Sequence, residues 1–303
     1  MKFIYYKAKK GNFGDDLNPW LWPLLFGQED ESDGLDLVGI GSILFNNNKI
    51  FSKDRTKIVF GSGVRPMQDS FKPSENWRIL FLRGPLSSSY LNNNYPHISD
   101  AAYCIRHTQF FKGTIDQKKK YEISFMPHYQ SLDFIDWERI CRELKIHFIS
   151  SKCELGVEYT LREIAASKFL VTEAMHGAIL ADAFRVPWHR FILSTPYTEG
   201  PLISEFKWND WLLSINKADS RFTGIKLYEK YLLGKMINRI TANRINIEFF
   251  AKNSVQQKIL RALSQVEGFA LSDSEVINKL DTLLEKEIEK VKEFQKSSYK
   301  DKA

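Results

Sequence analysis

The chain has 303 residues, of which 43% are hydrophobic and 26% charged, a composition typical of a folded globular protein rather than a disordered one. Its formal net charge is +6 and its pI is about 9.0. A basic balance fits either a solvated surface or attraction to anions such as a phosphorylated small molecule, a diphosphate-linked glycan or an acidic membrane surface. The lysines are scattered, and the sequence contains neither an RNA-binding signature nor the ligand spacing of a zinc finger. Nucleic acid is therefore not expected as a partner.

The cysteines and the N-terminus indicate the compartment. Cys104, Cys141 and Cys153 are far apart and form no CxxC pair, which favours a reducing compartment and argues against a disulfide framework or a zinc site. The first apolar run is too short for a signal peptide, and no stretch approaches the ~20 apolar residues of a membrane span. We therefore expect a cytoplasmic protein whose membrane contact, if any, is peripheral and at the inner face.

Short apolar runs alternate with glycine turns in the first third of the chain. A helix is predicted at residues 17–26, with Pro19 in its first turn. Continuous apolar runs indicate strands covered on both faces, as in a parallel sheet. The ligand crevice of such a sheet lies beyond the carboxyl ends of its strands, where these glycine turns fall. The predicted strands are residues 3–6, 35–40, 57–60 and 77–82.

A second alternating set follows a polar, basic stretch at residues 111–121, which we interpret as an inter-domain linker. Asp133 and Thr172 are predicted N-caps of two of its helices. The predicted strands and helices are residues 123–126, 133–144, 146–149, 161–166, 168–171, 174–184 and 191–193. The predicted fold class is α/β, with two Rossmann-like doubly wound domains at residues 1–115 and 120–220 and a helical extension at residues 221–303.

The C-terminal part changes to a helical pattern. Five apolar residues share one helix face at the expected spacing, and Ser272 with Glu275 resembles a capping box. We favour a helix packed back on the body over a dimerisation or membrane-surface helix. The residues of the apolar face are Val276, Leu280, Leu284, Ile288 and Val291.

Two adjacent carboxylates, Asp15 and Asp16, follow a turn that contains Asn12 and Gly14. Carboxylates at a helix start are stabilised by capping and by the helix dipole. The alternative is functional: a carboxylate held at a cleft acts on a hydroxyl, as a base or as a hydrogen-bond acceptor.

The turns after the next strands are a second candidate. The Gly61-Ser62-Gly63 turn lets a ligand approach the backbone, whose free N–H groups bind anions, although turn geometry alone also explains the glycines. The spacing is not that of the dinucleotide fingerprint. Arg83, at the next strand end, can hold a carboxylate or phosphate in bidentate fashion; a surface salt bridge is the alternative.

The segment around His176 is the sharpest candidate. A predicted strand runs directly into a helix, and His176 lies in the first turn or so of that helix, beside Gly177. Helix N-termini attract anions, and a histidine there acts as a general acid, a phosphate ligand or both. The dipole disfavours the imidazolium unless a bound anion compensates. A histidine that only makes hydrogen bonds in the core is the alternative.

Seven segments in order resemble the polysaccharide pyruvyl transferase family, most closely its branch of succinoglycan-type ketal pyruvate transferases. They fall between residue 2 and about residue 215, and the later residues carry little resemblance. The segments are NFGDDLNP at 12–19, FGSG at 60–63, LRGPLS at 82–87, DAA at 100–102, MPHY at 126–129, EAMHGAI at 173–179 and KWNDW at 207–211.

The resemblance implies a glycosyltransferase-B-like architecture, with the acceptor on the N-terminal side and the donor on the C-terminal side. It implies phosphoenolpyruvate as the donor, and no metal or organic cofactor. The implied acceptor is a hexose of a bacterial exopolysaccharide, capsule or lipopolysaccharide repeat unit, usually carried on a lipid diphosphate, and the product is a pyruvate ketal.

The resemblance maps the family's histidine onto His176. For the chemistry of ketal formation we hypothesise that His176 is the proton donor or phosphate ligand and that Asp15 or Asp16 handles the acceptor hydroxyl. His128 is a second acid/base candidate. The residues expected to bind substrate are Asn12, Gly14, Gly61, Ser62, Gly63, Arg83, His128, Thr172, Glu173, Met175 and Gly177.

One expected donor-binding arginine is absent. Many family members have Arg-Leu before the histidine, whereas this chain has Ala174-Met175. The residues considered for replacing its charge are Arg83, Lys168, Arg185 and Arg190.

Two rival functions remain at this point. A sugar-nucleotide glycosyltransferase of the same architecture predicts stabilisation by a nucleoside diphosphate rather than by phosphoenolpyruvate. A non-catalytic glycan-binding protein predicts binding without phosphate release, and the seven tryptophans and twelve tyrosines supply rings for sugar stacking, although such rings are more often part of a core.

Overall fold

The computed structural model describes residues 1–66, 71–225 and 247–300. The strands in these ranges form two parallel sheets, so the α/β class with parallel sheets is confirmed. The glycosyltransferase-B-like arrangement of two doubly wound domains stays an expectation, as do the predicted domain boundaries.

The first sheet has its strands in chain order, β1-β2-β3-β4. Its middle strands are buried on both faces: Leu37 and Ile58 pack in the cluster that contains helix α1, while Val38 and Val59 pack in a cluster on the other face. The strands are β1 (Lys2–Ile4), β2 (Leu35–Val38), β3 (Thr56–Phe60) and β4 (Trp77–Phe81). The helices of this half are α1 (Phe13–Phe26), α2 (Pro85–Tyr90), a 3₁₀ helix (Ala101–His107) and α3 (Gln109–Lys112).

The second sheet has the order β6-β5-β7-β8-β9. The chain leaves β5 toward one side and then returns to place β7 on the other side of β5, and ligand crevices form at such reversals, beyond the carboxyl ends of the strands. The strands are β5 (Tyr121–Met126), β6 (His147–Phe148), β7 (Ser167–Thr172), β8 (Trp188–Ile192) and β9 (Phe222–Gly224).

The helices that follow these strands are interleaved with them, as a parallel sheet requires. They are a short 3₁₀ helix (Ser131–Asp133), α4 (Trp137–Leu144), α5 (Val157–Ala165), α6 (Met175–Ala183), α7 (Thr195–Thr198) and α8 (Pro201–Ser214).

Helix α1 begins earlier than predicted, at Phe13, which places Pro19 inside the helix rather than in its first turn. Proline cannot donate to the carbonyl four residues before it. The Asn18 side chain supplies the missing partner, because its Nδ2 donates to the Asp15 carbonyl at 3.1 Å. Asn18 Oδ1 also accepts from the Ile40 N–H, which fixes the start of α1 against the end of β2.

Three predicted N-caps are wrong: Thr172, Asp133 and, in the C-terminal part, Ser272. The first two precede helices α6 and α4. Helix α6 begins at Met175, so Ala174 occupies the N-cap position, and Thr172 accepts instead from the Ala174 N–H two residues on. Helix α4 is capped by Asp136, while Asp133 pairs with Lys10 and Lys152 at the surface. In both cases the turn before the helix is longer than the sequence pattern suggested.

The C-terminal part begins with strand β9 rather than with a helix. The described residues after it contain α9 (Ile247–Ser264) and α10 (Ser274–Lys300), and the part of the predicted helical extension at residues 226–246 lies outside the described residues. The third predicted cap, Ser272, does not cap α10, because its N–H and hydroxyl both bind the buried carboxylate of Asp182.

The interpretation that the last helix packs back on the body is confirmed. Four of its predicted apolar residues are buried and Val276 is half-buried against the same core. Arg106 of the 3₁₀ helix makes a bidentate pair with Asp281 of α10. One apolar cluster runs through both sheets and α10. Within the described ranges, no helix has the length and apolarity needed to cross a membrane.

Candidate functional site

The N-termini of α1 and α6 meet beyond the carboxyl ends of β5 and β7. His176 is the second residue of α6, and its imidazole lies against the backbone of Gly14 in the first turn of α1. A Cβ atom at Gly14 would overlap the imidazole ring, so only glycine allows this approach. Two helix N-termini in one place direct free N–H groups and positive dipole ends into the same space, which favours an anion there.

The His176 imidazole is held mostly out of solvent, with its side chain 16% exposed. Its Nε2 lies 3.7 Å from Oδ2 of Asp100, too far for a hydrogen bond, and neither atom has a hydrogen-bond partner. Burial lowers the His176 pKa; Asp100 acts against this shift, while Lys207 and Arg83 add to it. The free protein therefore holds a neutral imidazole at pH 7 with an unused polar atom.

Asp15 interacts electrostatically with Lys207 and Glu199, which also act on His176. Its carboxylate accepts a hydrogen bond from Asn12 Nδ2 at 2.8 Å. Burial, with help from Asp16 and Glu199, raises the Asp15 pKa to about 7, against the opposing effects of Asn12 and Lys207. A carboxyl group that titrates near neutral pH is suited to proton transfer.

Asp16 is placed differently. Its carboxylate accepts from the Asn12 N–H, and burial raises its pKa. It interacts electrostatically with Cys153 rather than with Lys207 or Glu199. Of the two adjacent carboxylates, Asp15 is thus the one that interacts with Lys207 and Glu199, the charged neighbours of His176.

Lys207, Glu199 and His128 form a second set of interacting side chains, close to His176 and Asp15. Lys207 of α8 forms an ion pair with Glu199, and His128 Nε2, at the end of β5, lies 3.6 Å from the same Glu199 oxygen. Burial would raise the Glu199 pKa, but Lys207 and His128 hold it well below its usual value. Burial together with Asp15 and Glu199 raises the pKa of nearby Tyr129 to about 12.

Lys207 is the cation that the sequence interpretation missed. Lys168 pairs with Glu122 at the surface, Arg185 binds Ser272, and Arg190 pairs with Glu205. Lys207, in contrast, interacts with both His176 and Asp15. Its place in the KWNDW segment, the last of the seven, was the available signal.

Arg83 is completely buried and pairs with Asp210 inside the protein. It is therefore not in a surface salt bridge, and its charge is not held ready for a ligand alone. Its Nε donates to Asp210 at 3.0 Å and its Nη1 to Ser42 at 2.6 Å. Asp210 also accepts from the N–H and hydroxyl of Ser87. The guanidinium passes under Gly63, where a Cβ atom would overlap it. It ties the end of β4 to helix α8, and one nitrogen, Nη2, has no partner.

Gly61 and Ser62 form the turn above Arg83. Gly61 has φ of 81°, and a Cβ there would come within 2.8 Å of the Ala101 nitrogen. Ser62 donates to the Gly41 carbonyl at 3.0 Å. The turn thus packs directly against the start of the 3₁₀ helix and positions Asp100, whose carboxylate caps that helix.

Glu173 joins three strand ends beneath His176. One carboxylate oxygen accepts from the N–H groups of Leu193, Ser194 and Thr195, and the other accepts from the His128 N–H. Its polar atoms are therefore used within the protein, and they fix the loops after β5 and β8.

Thr172, Met175 and Gly177 form the base of the site. The Thr172 hydroxyl donates to the Met126 carbonyl at 3.1 Å, and Met175 is buried. A Cβ atom at Gly177 would lie 2.6 Å from the Thr172 hydroxyl, so the glycine keeps α6 close to β7.

A separate cavity of about 560 Å³ is lined in part by the loop that follows β6. This loop contacts the start of α1, because the Phe13 N–H donates to the Ser151 carbonyl at 2.9 Å. The cavity is lined by a mixture of apolar and charged side chains, including Phe148, Lys152 and Tyr159, and none of the predicted site residues lines it.

The fold and the residues around His176 define a parallel α/β protein with an anion-attracting site between helix N-termini. The model of the polysaccharide pyruvyl transferase family matches residues 2–194, and the chain belongs to that family. This match contains every predicted site residue; Glu199 and Lys207 lie beyond its end.

The chain is also similar to succinoglycan biosynthesis protein ExoV of Rhizobium meliloti (strain 1021). The two are 38% identical over 216 residues, which cover 70% of this chain and 64% of that protein. The chain therefore spans less than two thirds of that relative's length. No solved structure matches the chain.

Proposed function

We propose that this protein transfers the pyruvyl group of phosphoenolpyruvate to a hexose of a bacterial polysaccharide repeat unit and forms a pyruvate ketal. The observation that carries the proposal is the position of His176 between two helix N-termini, with Asp15 on one of those helices and Lys207 acting on both side chains, in a chain of this family. The site thus offers a place for a small anion, a proton donor and a proton acceptor.

In the proposed reaction C3 of phosphoenolpyruvate gains a proton, C2 gains two sugar oxygens and C2 loses phosphate. A proton is added to C3 of phosphoenolpyruvate, and a sugar hydroxyl attacks C2 and gives up its own proton. Phosphate then leaves C2, and a second hydroxyl of the same sugar closes the ring as it loses its proton. The sum is phosphoenolpyruvate and a diol giving a ketal and inorganic phosphate.

His176 is the proposed proton donor to C3 or ligand of the phosphate. Burial keeps its imidazole neutral in the free protein. A bound dianion beside the ring favours the imidazolium and raises the pKa, so the donor itself would create the acid that protonates it. Asp15, with a pKa of about 7, is the proposed acceptor of the hydroxyl proton.

The surroundings of the reaction follow from the same chemistry. Proton transfer by side chains suffices, so we propose that neither a metal nor an organic cofactor takes part. We further propose an acceptor carried on a lipid diphosphate and a cytoplasmic protein that meets the inner face of the membrane peripherally. The positive net charge of +6 supports attraction to both the acceptor and that surface.

The role of His176 is tested by phosphate release from phosphoenolpyruvate in the presence of a glycan acceptor. We expect His176→Gln to lower the rate by ~100-fold or more, because a general acid is typically worth that factor. His97→Gln, which changes an exposed histidine, is the control and should keep the wild-type rate. A His176→Gln rate within tenfold of wild type would remove the imidazole from the chemistry.

The donor is tested by thermal unfolding with phosphoenolpyruvate and with nucleoside diphosphates. A ligand at 100 times its dissociation constant stabilises the folded state by ~2.7 kcal/mol. We expect phosphoenolpyruvate to raise the melting temperature. Stabilisation by nucleoside diphosphates alone would indicate a glycosyltransferase, and glycan binding without phosphate release would indicate a binding protein.

A further inference from the structure

Glu199 occupies a position that resembles that of a bound anion. Its carboxylate lies between Lys207 and His128, two side chains that are only 15% and 8% exposed. Glu199 Oε2 and His128 Nδ1 have no hydrogen-bond partner. A carboxylate held by a lysine and an imidazole at the mouth of an anion site has the chemistry of the ligand that this site is suited to bind.

The charges around the site show why this carboxylate matters. Arg83 is fully buried and bound to Asp210, so its charge is already matched within the protein. Lys207 is the other cation that acts on His176, and Glu199 neutralises it. With Glu199 in place, an entering donor would meet the negative charges of Asp100 and Glu199, while the ammonium group of Lys207 is already paired, and its binding would be opposed.

The two members of the ion pair differ in their freedom to move. Lys207 lies on α8 next to Trp208, and Trp208 and Trp211 anchor that helix in the core. Glu199 lies in the two-residue connection between α7 and α8, before Gly200, and its side chain is 23% exposed. Rotation of the glutamate side chain into solvent breaks the pair without moving a helix.

We propose that Glu199 is a placeholder for an oxyanion of the donor, and that Lys207 binds this oxyanion once Glu199 has moved away. Lys207 thereby supplies the charge of the arginine that is absent at Ala174. The inference rests on the proposed function for the identity of the donor. In physical terms, the Glu199 carboxylate and an oxyanion of the donor, either phosphate or carboxylate, compete for the ammonium group of Lys207.

The competition is measured by calorimetric titration of the full chain with inorganic phosphate, with pyruvate and with phosphoenolpyruvate. Glu199→Gln keeps the size of the side chain and removes its charge, and it should tighten binding of phosphate or pyruvate by about tenfold, equivalent to ~1.4 kcal/mol. Whichever of these two probes is tightened identifies the donor group that Lys207 meets. Glu199→Ala should change affinity in the same direction. Lys207→Met should weaken binding of that probe by about tenfold or more.

Matched controls remove equal charges elsewhere. Glu31→Gln changes a surface carboxylate whose partner is Lys2, and Lys168→Met changes a surface lysine paired with Glu122. Both should leave oxyanion affinity unchanged. Thermal unfolding of each variant confirms that it is folded before titration.

The outcomes separate this inference from the proposed function. The inference is overturned if Glu199→Gln binds both probes with unchanged or weaker affinity. It is also overturned if Lys207→Met keeps wild-type affinity. Either result counts even if the protein turns over phosphoenolpyruvate. If wild type gives no measurable heat, Glu199→Gln must still bind one of the probes for the inference to stand. If the probes follow the expected pattern but phosphoenolpyruvate neither binds nor reacts, the proposed function fails and the inference stands.

Discussion

At the scale of single residues, the contact between Gly14 and His176 sets the geometry of the site. A methyl group at residue 14 would overlap the imidazole, so Gly14→Ala must displace the ring or separate the two helices. We expect a loss of activity of ~100-fold. The measurement is the rate of phosphate release together with the melting temperature of each variant.

Gly113→Ala is the matched control, since a Cβ atom there meets its nearest neighbour at 3.6 Å and its φ is −81°. This variant should keep wild-type activity and stability. Full activity in Gly14→Ala would show that the close approach is not needed.

The raised pKa of Asp15 predicts a pH dependence. The carboxylate accepts a proton in the proposed reaction, so kcat/KM should rise with pH through about 7, the value to which burial raises the Asp15 pKa. The measurement is kcat/KM for phosphoenolpyruvate between pH 5 and pH 9. A profile that is flat across the region of pH 7 contradicts the assignment.

The same pKa predicts a change in stability of opposite sign. Because the folded state binds the Asp15 proton more tightly than the unfolded state, the contribution of Asp15 to stability falls as pH rises from about 4 to about 7. Asp15→Asn removes this buried charge and should be more stable than wild type at pH 8, by ~1–2 kcal/mol once partial exposure of the carboxylate is considered. Urea unfolding at pH 8 and at pH 4 measures the difference, which should vanish at the lower pH.

Sequence reasoning at this scale singled out His176 and the pair Asp15 and Asp16 because they follow local patterns, a strand directly before a helix start and a glycine turn before a carboxylate pair. Lys207 could not be found in the same way. It reaches the site from the middle of α8, and only the packing of that helix across the sheet brings its ammonium group to Glu199. The difference between Asp15 and Asp16 likewise depends on the direction in which α1 is rotated.

At the scale of elements, Glu173 holds the ends of β5, β7 and β8 together. Its carboxylate is buried and accepts hydrogen bonds from backbone groups of two loops. We expect Glu173→Ala to lower the free energy of unfolding by ~3–5 kcal/mol, because several buried donors lose their partner at once. Urea denaturation measures this. Glu122→Gln is the control, because it changes an exposed carboxylate that pairs with Lys168 at the surface, and it should change stability by less than ~1 kcal/mol.

The order of helices and strands was largely predictable, since apolar runs and glycine turns follow local rules. The caps were not. Thr172 accepts a hydrogen bond inside its own turn and Ser272 binds Asp182, and nothing in a local pattern distinguishes these partners from a helix N-terminus. Strand β9 was missed because its pairing with β8 joins residues that are distant in the sequence.

At the scale of the whole molecule, Arg83 and Asp210 connect the first sheet to α8, the helix that carries Lys207. Both side chains are fully buried. Arg83→Met leaves Asp210 as an unpaired buried charge and should lower the free energy of unfolding by ~3–5 kcal/mol. Denaturant unfolding is the measurement. An Arg83→Met variant of wild-type stability that has lost activity would instead place the guanidinium in the substrate site.

The central claim is that the site between α1 and α6 performs ketal formation by adding a proton to C3 of phosphoenolpyruvate. Its most direct test is the reaction of phosphoenolpyruvate with a glycan acceptor in heavy water, followed by NMR spectroscopy of the product. The account predicts a pyruvate ketal whose methyl group carries one deuterium, formed by wild type and ~100-fold more slowly by His176→Gln. A product that retains the C3 methylene group, or a glycan that carries no pyruvate, would contradict it.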